Sequence, residues 1–246
     1  MVWLSWVSWL VWGCSTAPPP GRVNATVQTA SWQGLSETIP NDPTLEGMIA
    51  PYRSKMTAET AQVIGEARAE FTNGRPEGSL GNLIADAMLF QARALSTQAV
   101  DFALGSPGRV PRLPAGSITI GSVFELMPFD NQMVVVELMG LQMPALAREI
   151  AERSGGWPVA GLSIQYQPSE QRVTELQVQG LALDSNRVYR LVVADYYLAV
   201  GTFETLAQTR SQEPLPQRVR EAIGEFIRRH KTITPQTGGR IVLRSS

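Results

Sequence analysis

The chain is poor in the side chains that most often build catalytic centres. Its 246 residues include one cysteine and one histidine. A two-metal phosphatase centre needs several His, Asp and Asn ligands converging on a pair of ions, and one histidine cannot build it. A Cys/His zinc site is excluded for the same reason, and so is a disulfide within the chain. A serine-hydrolase triad would have to use His230 as its base. That residue stands in Arg228-Arg229-His230-Lys231, at the end of a predicted helix. Cationic neighbours disfavour a further charge there, and the position complements the helix dipole, so His230 reads as structural. Charge of one sign is also lacking. Lys and Arg number 21 and Asp and Glu 22, for a net charge of −1, with the two signs interspersed. Without a basic stripe there is no nucleic-acid footprint.

What is present is ordinary globular composition, with 43% hydrophobic residues. Beyond the N-terminal segments about 200 residues remain, enough for one sizeable core. Met1 to Gly13, MVWLSWVSWLVWG, is apolar, with four Trp and no charged side chain. As a helix it would reach only about 20 Å, short of a ~30 Å hydrocarbon core, and it fits a secretory apolar region better. Cys14 follows directly after Val11-Trp12-Gly13, which resembles a bacterial lipoprotein cleavage box with Cys14 as the lipid acceptor. An uncleaved anchor or a plain N-terminal extension is the alternative. The expected organisation is a signal peptide over 1–14, a Pro-rich tether over 15–42 with a weak strand signal at Val23, Ala25 and Val27, and a folded domain over 43–246.

Periodicity then gives the elements. Thr44 to Met56 reads as a helix with Leu45, Met48, Ile49 and Tyr52 on one face. Gln62 to Phe71 reads as a strand. Leu80 to Leu95 is the best helix, with Leu80, Leu83, Ile84, Ala87, Met88 and Gln91 facing a core. Asn82 and Asp86 are a turn apart on it, and local capping, solvated surface or a ligand role all remain open. Val100 to Leu104 is a short buried strand. Leu141 to Arg153 is an amphipathic helix closed by Gly155-Gly156. Leu162–Tyr166 and Val173–Val178 alternate around a polar turn as a hairpin, and Tyr189 to Val193 is another strand. Gln217 to Arg229 is an amphipathic helix with Pro216 near its start, and Ile241 to Leu243 is an edge strand.

The organising stretch is Leu113 to Gly140, LPAGSITIGSVFELMPFDNQMVVVELMG. Ile118 and Ile120 alternate with Thr119 and Gly121 as a short strand. Ser122 is placed to cap a short helix with Val123 and Leu126 inward. Pro128-Phe129-Asp130-Asn131 is an exposed turn with an aromatic tip, and Met133 to Leu138 is a buried β-branched strand.

Together with Leu80-Gly81-Asn82-Leu83-Ile84-Ala85-Asp86-Ala87-Met88, this stretch resembles the C-terminal domain of bacterial 5′-nucleotidases. The resemblance runs over roughly residues 44 to 203. It implies an α+β fold with mixed β-sheets and helices packed on their faces; pattern alone supports only mixed α and β. In that family a separate metallophosphatase domain does the chemistry and the C-terminal domain holds the nucleoside. Phe129 matches one ring of the family's base clamp and Asn131 follows it in the same motif. Asp195-Tyr196-Tyr197-Leu198-Ala199 resembles the segment carrying the opposing ring, with one residue inserted, so either Tyr196 or Tyr197 takes that place. The family's Gly-Gly-Asp after this segment is gone. Its Asn-x-Gly-Gly-Ile-Arg loop is replaced by Gly105-Ser106-Pro107-Gly108-Arg109-Val110-Pro111-Arg112. Counted without gaps, Gly105 stands for the Asn and Val110 for the final Arg, flanked by Arg109 and Arg112. A glycine-containing loop with a guanidinium meets an anion, or it is a turn with two solvated arginines.

The resemblance therefore implies substrate-binding residues Arg109, Phe129, Asn131, Asp195, Tyr196 and Tyr197, with no catalytic residue and no metal ligand in this chain. Divalent metals are expected only in a separate metallophosphatase chain as partner. The ligand is a nucleoside or nucleotide, and the location is the cell envelope, held to a bacterial membrane by lipid on Cys14. The alternative is a degenerate, non-catalytic envelope lipoprotein that serves as a binding or interaction module.

Overall fold

A computed structural model of the chain describes residues 40–153, 157–209 and 211–244. The cleavage box with Cys14, the tether up to residue 39, the strand expected at 23–27 and the Gly155-Gly156 helix stop lie outside the described residues. The chain divides into two units, 1–46 and 47–246. In the described part of the first, the Asp42 carboxylate accepts the backbone N–H groups of Thr44 and Leu45 at 2.7 and 3.2 Å, capping the helix that follows.

From the N-terminus the elements are α1 (Pro43–Thr60), β1 (Val63–Ala67), β2 (Phe71–Thr72), α2 (Ser79–Leu95), β3 (Phe102–Leu104), β4 (Arg112–Leu113) and β5 (Gly116–Thr119). Next come α3 (Ile120–Leu126), β6 (Gln132–Met139), α4 (Met143–Glu152), β7 (Val159–Ala160), β8 (Leu162–Gln167), β9 (Arg172–Val178) and β10 (Leu181–Ala182). The last are β11 (Val188–Ala194), α5 (Asp195–Ala199), β12 (Gln212–Arg218), α6 (Val219–His230), β13 (Thr232–Ile233) and β14 (Ile241–Leu243). Among the described residues no helix is long and apolar enough to cross a membrane.

The main sheet has the order β12-β6-β11-β3-β7, and a second sheet runs β10-β9-β8-β14. Both are mixed: β11 is antiparallel to β6 and parallel to β3, and β14 is parallel to β8. The helix α2 lies against β3, β7 and α6, while α4 covers β8 and β9. This is the α+β arrangement of mixed sheets with helices on their faces. The main sheet forms because β6 and β11 are β-branched runs buried on both faces: Met133 to Val136 and Tyr189 to Ala194 are all buried. Every core-facing residue expected of α2 is buried, Ile84 and Met88 fully. Burying such a side chain stabilises by about 1.5–3 kcal/mol.

The structure corrects several local readings. The strand expected over 62–71 ends at Ala67 and resumes at Phe71. Ile120 opens α3 instead of prolonging β5. Thr119, not Ser122, caps that helix; its hydroxyl accepts from the Ser122 backbone N–H at 3.1 Å, and Ser122 returns a hydroxyl to the Thr119 N–H at 3.2 Å. No residue of α1, including its apolar stripe, is buried. Six of the described α-helices and strands escaped the pattern: the two-residue strands β4, β7, β10 and β13, the five-residue α5, and β12. Pro214 and Pro216 are tolerated in β12 because it is the outermost strand beside β6, and the helix expected from Gln217 starts at Val219.

Asn82 is buried and Asp86 is half-buried, and both pair with the C-terminal segment instead of capping α2. The Asn82 amide donates to Glu77 Oε1 at 2.6 Å and to the Gln236 carbonyl at 3.0 Å. The Arg240 guanidinium forks onto both Asp86 oxygens at 2.8 and 2.9 Å. Glu77 receives the backbone N–H groups of Gly238, Gly239 and Arg240, each at 3.0 Å. Three polar residues at the start of α2 thus strap the C-terminal segment down and deliver β14 to β8.

Candidate functional site

Sheet direction decides which loops meet. Because β3 and β11 run parallel, the segments leaving them, 105–112 and 195–203, emerge at one end of the main sheet. Because β6 runs antiparallel to β11, the turn entering β6, 127–131, lies at that same end. The register pairs Ala194 with Met133, which brings Asp195 beside Gln132. The Gln132 backbone N–H donates to Asp195 Oδ1 at 3.1 Å, and the Tyr196 N–H donates to the same oxygen at 2.7 Å. Asp195 therefore ties the start of α5 to the turn carrying Phe129.

The Phe129 ring is 47% exposed at the tip of its turn. Its backbone is fixed from α6. Arg220 donates to the Phe129 carbonyl at 3.2 Å and to the Asp130 carboxylate at 2.6 Å, and the Asn131 carbonyl accepts from the Val219 N–H at 2.9 Å. Asn131 itself is half-buried. The Arg220 hydrogen bond, the charge of Arg220 and the charge of Arg218 hold the Asp130 carboxyl below its ordinary pKa, against a small opposing effect of burial.

Of the two tyrosines left open by the sequence, the structure separates the roles. Tyr196 is 52% exposed, whereas Tyr197 is only 9% exposed. The Tyr197 hydroxyl hydrogen-bonds the Ser106 hydroxyl at 2.9 Å, and the Trp157 ring meets Tyr197 edge-on at 5.1 Å and Phe203 at 5.3 Å. Burial pushes the Tyr197 phenol up, with the Ser106 bond opposing it. Tyr197 is part of the wall; Tyr196 is the ring at the surface.

The loop after β3 is built for packing at its start and is open further on. Gly105 is buried, its N–H donating to the Pro158 carbonyl at 2.8 Å and its carbonyl accepting from the Trp157 indole at 2.7 Å. A Cβ there would lie 2.8 Å from that of Ala85, so a larger side chain does not fit without movement. Gly108 takes a φ of +74°, a left-handed turn that glycine allows. The Arg109 N–H donates to the Leu126 carbonyl at 2.9 Å, placing the loop against the end of α3, three residues before Phe129. The Arg109 guanidinium is exposed and has no partner among the described residues. Arg112 is drawn away, 3.6 Å from Glu70.

Beside the Phe129 turn lies an open polar hollow of about 390 Å³ lined by Asp130, Gln132, Asp195, Arg218 and Glu221. Among the described residues no group of three or more His, Cys, Asp or Glu is placed to hold a metal ion. No chemical step is assigned to these residues. Sequence reasoning missed Ser106, Trp157 and Arg220. Trp157 stands outside any periodic pattern, and Arg220 reads as an ordinary outward residue of α6.

The 5′-nucleotidase C-terminal domain model matches residues 57–208. A probable 5′-nucleotidase of Treponema pallidum is 25% identical over 231 residues, covering 80% of this chain and 39% of that protein. Protein UshA of Escherichia coli is 24% identical over 192 residues, covering 70% of this chain and 33% of that protein. Among solved structures, a 5′-nucleotidase precursor from Thermus thermophilus superposes with a TM-score of 0.70 at 28% identity, over 84% of this chain and 44% of the other. The chain thus spans between a third and a half of the length of these relatives. The matched region runs from the end of α1 through α5 and takes in all three converging loops, and by that match the chain belongs to the 5′-nucleotidase C-terminal domain family.

Proposed function

We propose that this chain is the nucleoside-holding part of a 5′-nucleotidase-type phosphatase whose metal-bearing part is supplied by a separate metallophosphatase chain. The observation that carries the reading is the pair of exposed rings, Phe129 and Tyr196, on two segments joined through Asp195 and Gln132. A base stacked between them gains about 1–3 kcal/mol per ring. Arg109, exposed on the third loop, is the cation offered to a phosphate, and the polar hollow next to Phe129 is the part offered to hydroxyl groups. Hydrolysis of a phosphate ester draws on metal-activated water, which the partner provides. We place the protein in the cell envelope, tethered by lipid on Cys14.

The test is calorimetric titration of the chain with AMP, adenosine and UDP-glucose, repeated with Phe129→Ala. Saturable binding that weakens at least tenfold in the variant supports the reading. Absence of heat at millimolar ligand overturns it. One observation favours a second reading, a binding module that has lost nucleotide recognition: Gly105, which stands where the family pattern has its Asn, is packed against Ala85 with no room for a larger side chain. The null titration would establish that reading.

A further inference from the structure

We infer that Arg220 is the positioning residue of the Phe129 ring, so that ligand recognition at the clamp depends on a guanidinium from α6 that touches no ligand. The inference rests on the proposed role of Phe129 as a stacking ring. Phe129 stands on a short turn between Pro128 and the start of β6; it is half exposed and enters no aromatic pair among the described residues. Arg220 makes the two direct hydrogen bonds to Phe129 and Asp130, while Arg218 adds a longer ion pair to Asp130 at 3.5 Å. One arm of the Arg220 guanidinium donates to the Phe129 carbonyl at 3.2 Å and the other to the neighbouring Asp130 carboxylate at 2.6 Å. The two bonds act on consecutive residues, so they fix both the position and the tilt of the peptide that carries the ring.

Arg220 is itself held. Its side chain is only 13% exposed, and its guanidinium carbon lies 4.3 Å from the centre of the Phe124 ring on α3. The Val219 N–H adds a third bond to the turn, through the Asn131 carbonyl. The start of α6 thus clasps three consecutive residues, Phe129, Asp130 and Asn131, while α3 backs the clasp. A lysine at 220 keeps the charge beside Asp130 but lacks the planar fork that reaches the carbonyl at the same time. A ring set in advance of binding spares the ligand the ordering of that side chain, which is where affinity is gained.

The experiment uses the full chain with 4-fluorophenylalanine incorporated at position 129, read by fluorine NMR, in the parent, Arg220→Lys and Arg220→Ala proteins. AMP titration of the same three is run by calorimetry, and circular dichroism checks the fold of each. The expected result is a fluorine line that narrows and moves toward the free amino-acid position in Arg220→Ala, with an intermediate change in Arg220→Lys. AMP affinity is expected to fall about tenfold in Arg220→Ala, with the fold intact. An unchanged fluorine signal in a folded Arg220→Ala protein overturns the inference, whatever AMP does. A parent that binds no AMP while the fluorine line still responds to Arg220 removes the base-holding reading and leaves the positioning role standing. Arg220→Lys matching the parent in both readouts shows that charge alone suffices and overturns the fork argument.

Discussion

At the scale of single residues, two adjacent tyrosines of the same type have unlike environments because helical geometry turns consecutive side chains about 100° apart. Tyr197 points inward to Ser106 and Trp157, and Tyr196 points out. Tyr197→Phe removes one buried hydroxyl contact and should cost about 0.5–1.5 kcal/mol in denaturant unfolding, leaving AMP affinity within twofold. Tyr196→Ala should show the reverse, an unchanged unfolding midpoint and a several-fold loss of AMP affinity. Equal loss of affinity in both would mean that the wall, not the exposed ring, carries recognition. Nothing in the sequence separates the two positions, since the inserted residue leaves the alignment open on either side.

At the scale of elements, the strap over the start of α2 has a built-in acid limit. Burial alone would raise the Glu77 carboxyl; the Asn82 amide and the backbone N–H groups of Gly238, Arg240 and Gly239 together outweigh it and hold its pKa below the ordinary 4.5. A carboxyl lowered in the folded state adds stability that is fully present above its unfolded pKa and is lost as pH falls through the folded value. The contribution is therefore intact at neutral pH and fades below about pH 4.5. The protection of the amides of residues 236–243, relative to their intrinsic exchange rate at each pH, should fall in that acid range, and Glu77→Gln should show the lower protection already at pH 7. Exchange that stays slow in Glu77→Gln would mean the Asp86–Arg240 pair alone holds the strap. The helix α2 was fully legible because its core spacing is local. The strap was not, since Asn82 and Asp86 meet partners 154 residues away. The edge strand β14 was legible as an apolar triplet, but its parallel pairing with β8 follows from the strap.

At the scale of the whole molecule, no helix among the described residues is long and apolar enough to cross a membrane, and the proposed attachment to a membrane rests on Cys14 alone. If Cys14 carries lipid, Cys14→Ser should move the protein from the membrane fraction to the soluble fraction after detergent-free lysis. A Cys14→Ser protein that stays in the membrane fraction like the parent would sink the lipid anchor. Membrane binding by acyl chains scales at about 0.8 kcal/mol per buried CH₂, so removing their acceptor removes that contribution.

The sequence by itself determined the family, the mixed α and β composition, and the buried faces of α2, β6 and β11. These follow from composition and from patterns that repeat within a dozen residues. Only the tertiary structure decided that Thr119 caps α3, that Gly105 is sealed under Trp157, that Tyr196 and not Tyr197 reaches solvent, and that Arg220 grips the Phe129 turn from 91 residues away. Each of these depends on sheet register and on which elements pack together. Side chains distant along the chain become neighbours only after the main sheet has fixed the order and direction of its strands.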